Sequence, residues 1–185
     1  MTERRMKGNN SKYLIAYFSR PGNNYVNGSI MNLPVGNTEI VANMIQEMTR
    51  GDLFHIEPVN AYPGDYTETT EVAQKELRAK ARPKLTSHLE TFASSTTIFL
   101  GYPNWWGTMP MPVYTFLEEY NFSGKTLAPF CTHEGSGLGH SVADIRKMCP
   151  QSTILDGLAI RGGEVKNAQD AVSGWLREIG MTAKK

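Results

Sequence analysis

The chain has 185 residues, which is enough for one domain with a full hydrophobic core. Its 19 basic and 18 acidic residues leave a formal net charge of +1, so charge gives no reason to expect a nucleic-acid or membrane partner. Two cysteines are too few for a disulfide scaffold, and neither a membrane-length apolar run nor a secretory signal is visible. We expect a cytoplasmic protein with a flexible leader at residues 1–10 and a single domain at residues 11–185.

The first third of the chain alternates strand and helix patterns. The apolar run at residues 13–19 predicts a strand buried on both faces. Apolar residues recur at helical spacing after Gly36-Asn37-Thr38, and Arg50-Gly51 ends that predicted helix. Residues 52–59 alternate well enough for a second strand, and a turn follows at residues 62–65.

The same alternation continues through the middle of the chain. A mainly polar helix is predicted at residues 67–81, and a third strand at residues 96–100. A helix at residues 113–120 then leads to a fourth strand at residues 126–131 and a short helix at residues 142–148.

The last predicted unit is a fifth strand at residues 153–160, broken near Asp156-Gly157, and a helix at residues 168–179. Five strands that alternate with helices predict an α/β fold in which a parallel sheet carries helices on both faces. Ligands of such sheets bind at the carboxyl ends of the strands. The loops that follow the first, third and fourth strands are therefore the candidate site.

The loop after the first predicted strand carries residues that can surround an anion. Ser19 ends the strand and Arg20 follows it, while Asn37 and Thr38 begin the next helix. Free N–H groups and the dipole at a helix N-terminus favour a phosphate there, and Asn37 or Thr38 would also cap the helix. A helix cap alone is the alternative interpretation. The nucleotide-triphosphate loop and the dinucleotide glycine motif are both missing from the sequence.

Two adjacent tryptophans lie in the loop after the third predicted strand. Residues 101–112 contain Trp105 and Trp106 together with three prolines that stiffen the loop. We interpret the tryptophans as an aromatic wall for a flat heterocycle, with backbone N–H and C=O groups of the loop bonded to the edge of that heterocycle. Packing of both side chains against neighbouring helices is the alternative.

The loop after the fourth predicted strand, residues 132–140, is rich in glycine, which permits close approach to a ligand. Its Gly-Ser-Gly sequence lacks the Gly-x-Ser-x-Gly spacing of a hydrolase nucleophile elbow. His133 and His140 lack the His-Glu-x-x-His spacing of a zinc site, so we expect no metal.

Taken together, these loops resemble those of the flavodoxin-like proteins that bind flavin mononucleotide (FMN). The resemblance is carried by Tyr17-Phe18-Ser19-Arg20, by Gly36-Asn37-Thr38 and by residues 101–107 and 130–137, in that order after successive strands. It covers the chain from about residue 11 to residue 180. It implies a flavodoxin-like three-layer sandwich with a five-stranded parallel sheet of order 2-1-3-4-5, and FMN held without a covalent bond.

The resemblance also implies which residues hold the cofactor. The phosphate role falls on Ser19, Asn37 and Thr38, with Arg20 nearby. The two later loops border the ring, and the contacts implied there are Pro103, Asn104, Trp105, Trp106, Gly107, Thr132, His133, Gly135, Ser136 and Gly137. Glu134 stands where the family often has a small residue, and we assign it no contact.

Residues 21–35 interrupt the phosphate segment, which is continuous in the family as Ser-x-x-Gly-Asn-Thr. A loop insertion of this length costs only ~1–2 kcal/mol if it projects outward. The phosphate assignment therefore requires Ser19 and Asn37 to meet at the base of the insertion. The residues Tyr25, Ile30, Met31 and Leu33 make the insertion apolar enough to pack, as a lid or as a contact in a homodimer.

Three functions fit a flavin-binding domain, since the flavin supplies the redox chemistry. We favour an oxidoreductase that passes electrons from NADH or NADPH to a quinone-like or other small acceptor. A flavodoxin-type carrier that docks on a redox protein is the alternative, and a flavin-binding regulatory or assembly protein is the third. Flavodoxin-type carriers are usually markedly acidic, whereas this chain is nearly neutral.

Overall fold

The structure, a computed structural model, describes residues 13–181, so the predicted leader at residues 1–10 lies outside the described residues. The strands are β1 (Tyr13–Tyr17), β2 (Gly22–Val26), β3 (Ser29–Leu33), β4 (Asp52–His55), β5 (Thr97–Pro103), β6 (Thr126–His133), β7 (Thr153–Ile154) and β8 (Leu158–Arg161). The α-helices are α1 (Asn37–Thr49), α2 (Tyr66–Ala79), α3 (Met111–Glu119), α4 (Ser141–Met148) and α5 (Gln169–Glu178). Short 3-10 helices cover Phe92–Ser94 and Gly162–Asn167.

The central sheet is parallel and has the order β4-β1-β5-β6-β7, with β8 also paired to β6. The five predicted strands thus lie in the order 2-1-3-4-5, which confirms the expected topology. The fifth strand is split into β7 and β8 by residues 155–157, as predicted. The second strand is shorter than predicted, because beyond Ile56 the chain leaves β1 and Pro58 forms a bridge to Leu85.

Neighbouring residues of the central strands enter opposite cores. Leu14 and Ile98 belong to a core that also contains Phe116 of α3. Ile15 and Phe99 belong to the other core, which includes side chains of α1 and α5. Both faces of the sheet are therefore covered by helices, which is why its strands consist of nearly continuous apolar runs. No helix within residues 13–181 is long and apolar enough to cross a membrane.

Residues 21–35 contain a β-hairpin, which the sequence analysis did not predict. Strands β2 and β3 pair antiparallel, with Gly22 opposite Leu33 and Val26 opposite Ser29. The turn residues Asn27 and Gly28 have φ values of 52° and 87°, the positive values that a two-residue hairpin turn requires. Asn-Gly between two strand-forming segments is a strong local hairpin signal, so this element could have been predicted.

Candidate functional site

The two halves of the predicted phosphate segment meet at the base of the hairpin. The Ser19 hydroxyl accepts a hydrogen bond from the backbone N–H of Glu39 at 3.0 Å. A Cβ atom added to Gly36 would lie 2.3 Å from Ser19 Oγ, so this contact depends on glycine. Ser19 therefore supplies the side-chain oxygen at the N-terminus of α1. The prediction that Asn37 or Thr38 caps the helix is wrong, because the helix begins at Asn37 and the N-cap position is Gly36.

A cavity of about 180 Å³ lies above this junction, at the carboxyl ends of β1, β5 and β6. The predicted site residues that line it are Ser19, Arg20, Asn37, Thr38, Pro103, Asn104, Trp105, Thr132, His133 and Ser136. Asn24, Tyr25, Tyr66 and Glu134 complete the lining. The structure thus brings most of the predicted residues to one place, although they come from widely separated loops.

A pair of buried hydroxyls joins two sides of this cavity. Thr38 Oγ1 and Thr132 Oγ1 are 2.8 Å apart, and both residues are buried. The pair links the first turn of α1 to the end of β6. The first N–H groups of a helix have no partner within the helix, so this corner presents uncharged hydrogen-bond donors at the positive end of the α1 dipole.

Arg20 is buried, and its guanidinium is engaged with backbone carbonyls. It donates to the carbonyl of Asn23 in the hairpin, and at 2.7 and 2.8 Å to the carbonyls of Pro63 and Gly64. Burial lowers the pKa of Arg20, and the nearby Asp65 carboxylate opposes that shift. The side chain therefore fastens the hairpin to the turn before α2, and its contribution to phosphate binding stays a prediction.

Asn104 fastens the loop after β5 to the loop after β6. Its side-chain amide donates to the Gly137 carbonyl at 2.8 Å and accepts from the Gly107 N–H at 2.9 Å. Its backbone N–H donates to the Thr132 carbonyl at 2.8 Å. These bonds give Gly107 and Gly137 a role in shaping the loops, and they hold the cavity wall in place before any ligand binds.

The two tryptophans have different environments. Trp105 is half-buried, with ring centroids 5.1 Å from Phe18 and 5.0 Å from Tyr62. Trp106 is 50% exposed and has a φ of 57°, a left-handed conformation that is uncommon for a bulky side chain. Its indole N–H donates to the Thr70 carbonyl at 3.0 Å, which holds the ring against α2. Trp106 thus lies against a neighbouring helix, as the packing alternative expects, but half of its side chain remains exposed.

Trp106 lines a second cavity of about 400 Å³ that adjoins the first. The two cavities share the residues Arg20, Asn24, Tyr66, Asn104 and Trp105. They therefore form one trough that runs from the N-terminus of α1 to the face of α2.

His133 lines the first cavity as a neutral imidazole. Its Nδ1 accepts a hydrogen bond from the Gly135 N–H at 2.9 Å, so the ring proton lies on Nε2. Burial lowers the pKa of His133, and the Arg161 guanidinium lowers it further. His133 is thus a hydrogen-bond donor at the cavity wall near neutral pH. Gly135 affects the site through this backbone N–H, which fixes the position of the ring proton of His133.

Four residues of the first cavity were not predicted to line it: Asn24, Tyr25 and Tyr66 were missed, and Glu134 was assigned no contact. Tyr25 and Tyr66 are in contact, with ring centroids 6.0 Å apart. A hairpin prediction from Asn27-Gly28 would have made β2 a candidate wall, whereas nothing in the local sequence marks Tyr66.

Metal binding and thiol chemistry have little support among the described residues of this region. Within residues 13–181 no group of three or more His, Cys, Asp or Glu side chains could hold a metal ion. Cys131 and Cys149 are free and buried, and burial raises the pKa of Cys131 to about 12. Its thiol is therefore protonated at neutral pH, and a buried thiol packs as a small apolar group.

Comparisons with known proteins agree with the fold. A family model described as flavodoxin matches residues 12–179. A candidate flavoprotein from Bacteroides eggerthii DSM 20697 is 29% identical, with a TM-score of 0.75 over 92% of this chain and 99% of that one. A second, from Bacteroides uniformis ATCC 8492, is 26% identical, with a TM-score of 0.69 over 90% and 98%.

A flavoprotein from Lactobacillus acidophilus NCFM, solved in complex with FMN, is 20% identical, with a TM-score of 0.62 over 85% of this chain and 97% of that one. At that identity the likeness shows the fold alone. No curated protein matches the chain.

Proposed function

The chain belongs to the flavodoxin family, and from that premise we propose that it binds FMN and passes electrons from a reduced nicotinamide to a quinone-like or other small acceptor. The observation that carries the proposal is the meeting of Ser19, Asn37 and Thr38 with the loops after β5 and β6 around one cavity. Each of these segments alone would be a helix cap or a surface loop.

The donors at the N-terminus of α1 fit a phosphate monoester. Thr38 and Thr132 offer hydroxyls, Asn37 offers an amide, and the first turn of α1 offers backbone N–H groups. Because the phosphate is a dianion near neutral pH, the helix dipole adds a favourable potential. Glu134 is the carboxylate that lines the cavity, and one of its oxygens is already bonded to the Asn27 N–H.

The walls further along the trough fit a flat heterocycle. Pro103, Asn104 and Trp105 form one side, and the loop after β6 forms another, with the neutral His133 as a hydrogen-bond donor. FMN, when bound, supplies the electron-transfer chemistry, and the protein supplies position and electrostatics.

The enzyme is favoured over the carrier by two observations. The net charge is +1, which gives little electrostatic steering toward a charged redox partner. The second cavity, lined by Tyr66 and Trp106, leaves space for a small planar acceptor beside the first. We propose small molecules as the partners and the cytoplasm as the location, with neither nucleic acid nor membrane involved.

A turnover assay tests this proposal. FMN-loaded protein should oxidise NADH or NADPH with menadione as acceptor at a rate well above that of an equal concentration of free FMN. A Trp106→Ala variant should raise the KM for menadione more than it changes FMN retention. If the protein did not accelerate the reaction over free FMN, the proposal that it is an enzyme would be overturned. Accumulation of one-electron-reduced protein during a reductive titration would instead favour the electron-carrier function.

A further inference from the structure

We propose that the β2–β3 hairpin is the outer wall of the cofactor cavity, and that Glu134 is the positioning residue that holds this wall closed. The inference rests on the proposed function, because it concerns the same cavity. It adds Asn24 and Tyr25 to the cofactor-binding residues and gives the insertion a role in cofactor retention.

The hairpin lies against the body of the protein at its tip as well as at its base. Val26 is only 5% exposed, although the residues that follow it in the turn are exposed. Next to it, the backbone N–H of Asn27 donates to Glu134 Oε1 at 2.9 Å, across 107 positions of sequence. A hairpin that projected into solvent would leave both Val26 and the Asn27 N–H exposed.

Two consecutive glycines make room for this contact. A Cβ atom on Gly163 would lie 2.3 Å from the side-chain amide of Asn27, so the hairpin tip lies directly on the Gly163 backbone. A Cβ atom on Gly162 would lie 2.4 Å from Glu134 Oε2, where the carboxylate approaches that backbone. These two glycines are the first residues of the 3-10 helix after β8. Because they carry no side chain, the hairpin tip and the Glu134 carboxylate can lie against their backbone.

The base and the side of the hairpin are fixed independently. Arg20 binds the Asn23 carbonyl, and the Asn23 N–H donates to the Gly64 carbonyl at 3.3 Å. The Asn24 side chain donates to the Arg20 carbonyl at 3.0 Å, and the Tyr25 ring contacts Tyr66. Asn24 and Tyr25 both line the first cavity. With its base at β1 and its tip on the loop after β6, the hairpin closes the cavity between them.

This arrangement predicts that the hairpin must open at its tip before FMN enters or leaves. The hydrogen bond from Asn27 to Glu134 is the polar contact that opening breaks at the tip, and its acceptor is charged, which strengthens it. Removing that acceptor should therefore speed FMN release without changing the cavity floor.

Two variants at one position separate the hydrogen bond from the charge. Glu134→Gln keeps an oxygen that accepts from the Asn27 N–H, whereas Glu134→Ala keeps none, and both remove the same charge. We expect Glu134→Ala to release FMN about tenfold faster than the wild type, as the loss of one charge-assisted bond implies. Glu134→Gln should stay within about threefold of the wild type. Equal release rates in the two variants, fast or slow, would overturn the proposal.

Amide hydrogen exchange reports on the hydrogen bond between Asn27 and Glu134 in the absence of FMN. In the apo protein, exchange at Asn27 should be faster in Glu134→Ala than in Glu134→Gln. If exchange at Asn27 in Glu134→Ala were the same as in the wild type, the proposal that Glu134 holds the hairpin closed would be overturned. Because this readout needs no cofactor, it stays informative if the wild type fails to retain FMN, a result that would count against the proposed function instead.

Removing the hairpin provides a second, larger change. Deletion of residues 22–35 joins Ser19-Arg20-Pro21 to Gly36-Asn37-Thr38 and restores a continuous Ser-x-x-Gly-Asn-Thr segment. The shortened protein should still bind FMN, because the cavity floor is intact, but should release it at least tenfold faster. Release at the wild-type rate would contradict a retaining role for the hairpin. If the shortened chain fails to fold, the comparison of Glu134→Ala with Glu134→Gln still tests the proposal.

Discussion

The hydroxyl of Ser19 accepts a hydrogen bond from the backbone N–H of Glu39 at 3.0 Å, although the β2–β3 hairpin lies between them in the chain. The strand end and the helix start are therefore joined as closely as if the segment were continuous. The hairpin is an addition to an intact strand–loop–helix unit, and it contributes a wall to the cavity that this unit forms.

Gly36 should be sensitive to a single added methyl group. In Gly36→Ala the new Cβ would lie 2.3 Å from Ser19 Oγ and 2.7 Å from the Arg20 carbonyl oxygen, and the backbone atom has little room to move. We expect a loss of about 1–3 kcal/mol in the free energy of unfolding, together with weaker FMN binding. Urea denaturation measures the first quantity. Gly64→Ala is the matched control, because nothing lies within 4 Å of its added Cβ. Equal stability in the two variants would contradict the close contact.

The adjacent tryptophans should lose different amounts of stability on truncation. Trp105 packs on Phe18 and Tyr62, so Trp105→Ala should cost about 2–3 kcal/mol of stability, below the range for a fully buried tryptophan. Trp106→Ala should cost less than about 1 kcal/mol, because the ring is half exposed, and alanine keeps the Cβ atom so the left-handed backbone cost is unchanged. Denaturant unfolding of both variants checks this difference. A larger loss in Trp106→Ala would show that this residue has a packing role.

The pH dependence of His133 follows from the direction of its pKa shift. Burial first, and Arg161 second, lower the pKa below the ordinary 6.5, so the folded protein binds a proton less readily than the unfolded chain. The contribution of His133 to stability is therefore complete above about pH 6.5, falls as the pH drops through that value, and levels off once the folded state is also protonated.

An NMR titration of the histidine side chains tests this directly. The pKa of His133 should lie below 6.5 in the wild type and rise in Arg161→Gln, because Glu134 and Glu164 oppose the shift and remain when the Arg161 charge is removed. A pKa at or above 6.5 in the wild type would contradict the partly buried, neutral imidazole.

Local patterns were sufficient to predict the parallel sheet, whereas the order of its strands was implied by the family resemblance. The break in the fifth strand and the end of α1 at Arg50 could be read because Gly and apolar spacing are short-range signals. The contact between Asn27 and Glu134 could not be predicted, because it joins two loops that only the finished sheet brings together. The same reason explains why Trp105 and Trp106 could not be told apart. Their burial depends on the backbone angle at Trp106 and on the position of α2.

The assignment of Arg20 illustrates a further limit of sequence. An arginine beside a phosphate segment resembles an anion ligand, yet this guanidinium donates to four carbonyls, one in the hairpin and three in the turn before α2. A donor group can bind an anion or a carbonyl, and only its surroundings decide between them.

The central claim is that the cavity between Ser19, Thr38 and Thr132 holds the phosphate of FMN, and the comparison of FMN with riboflavin tests it most directly. The two flavins share the ring and differ in the phosphate, so titration of the apo protein, followed by flavin fluorescence, isolates the phosphate site. With two or more charge-assisted hydrogen bonds to that phosphate, FMN should bind at least about 100-fold more tightly than riboflavin. FMN absorbance should also survive desalting. Equal affinity for the two flavins, or loss of FMN on desalting, would contradict the account.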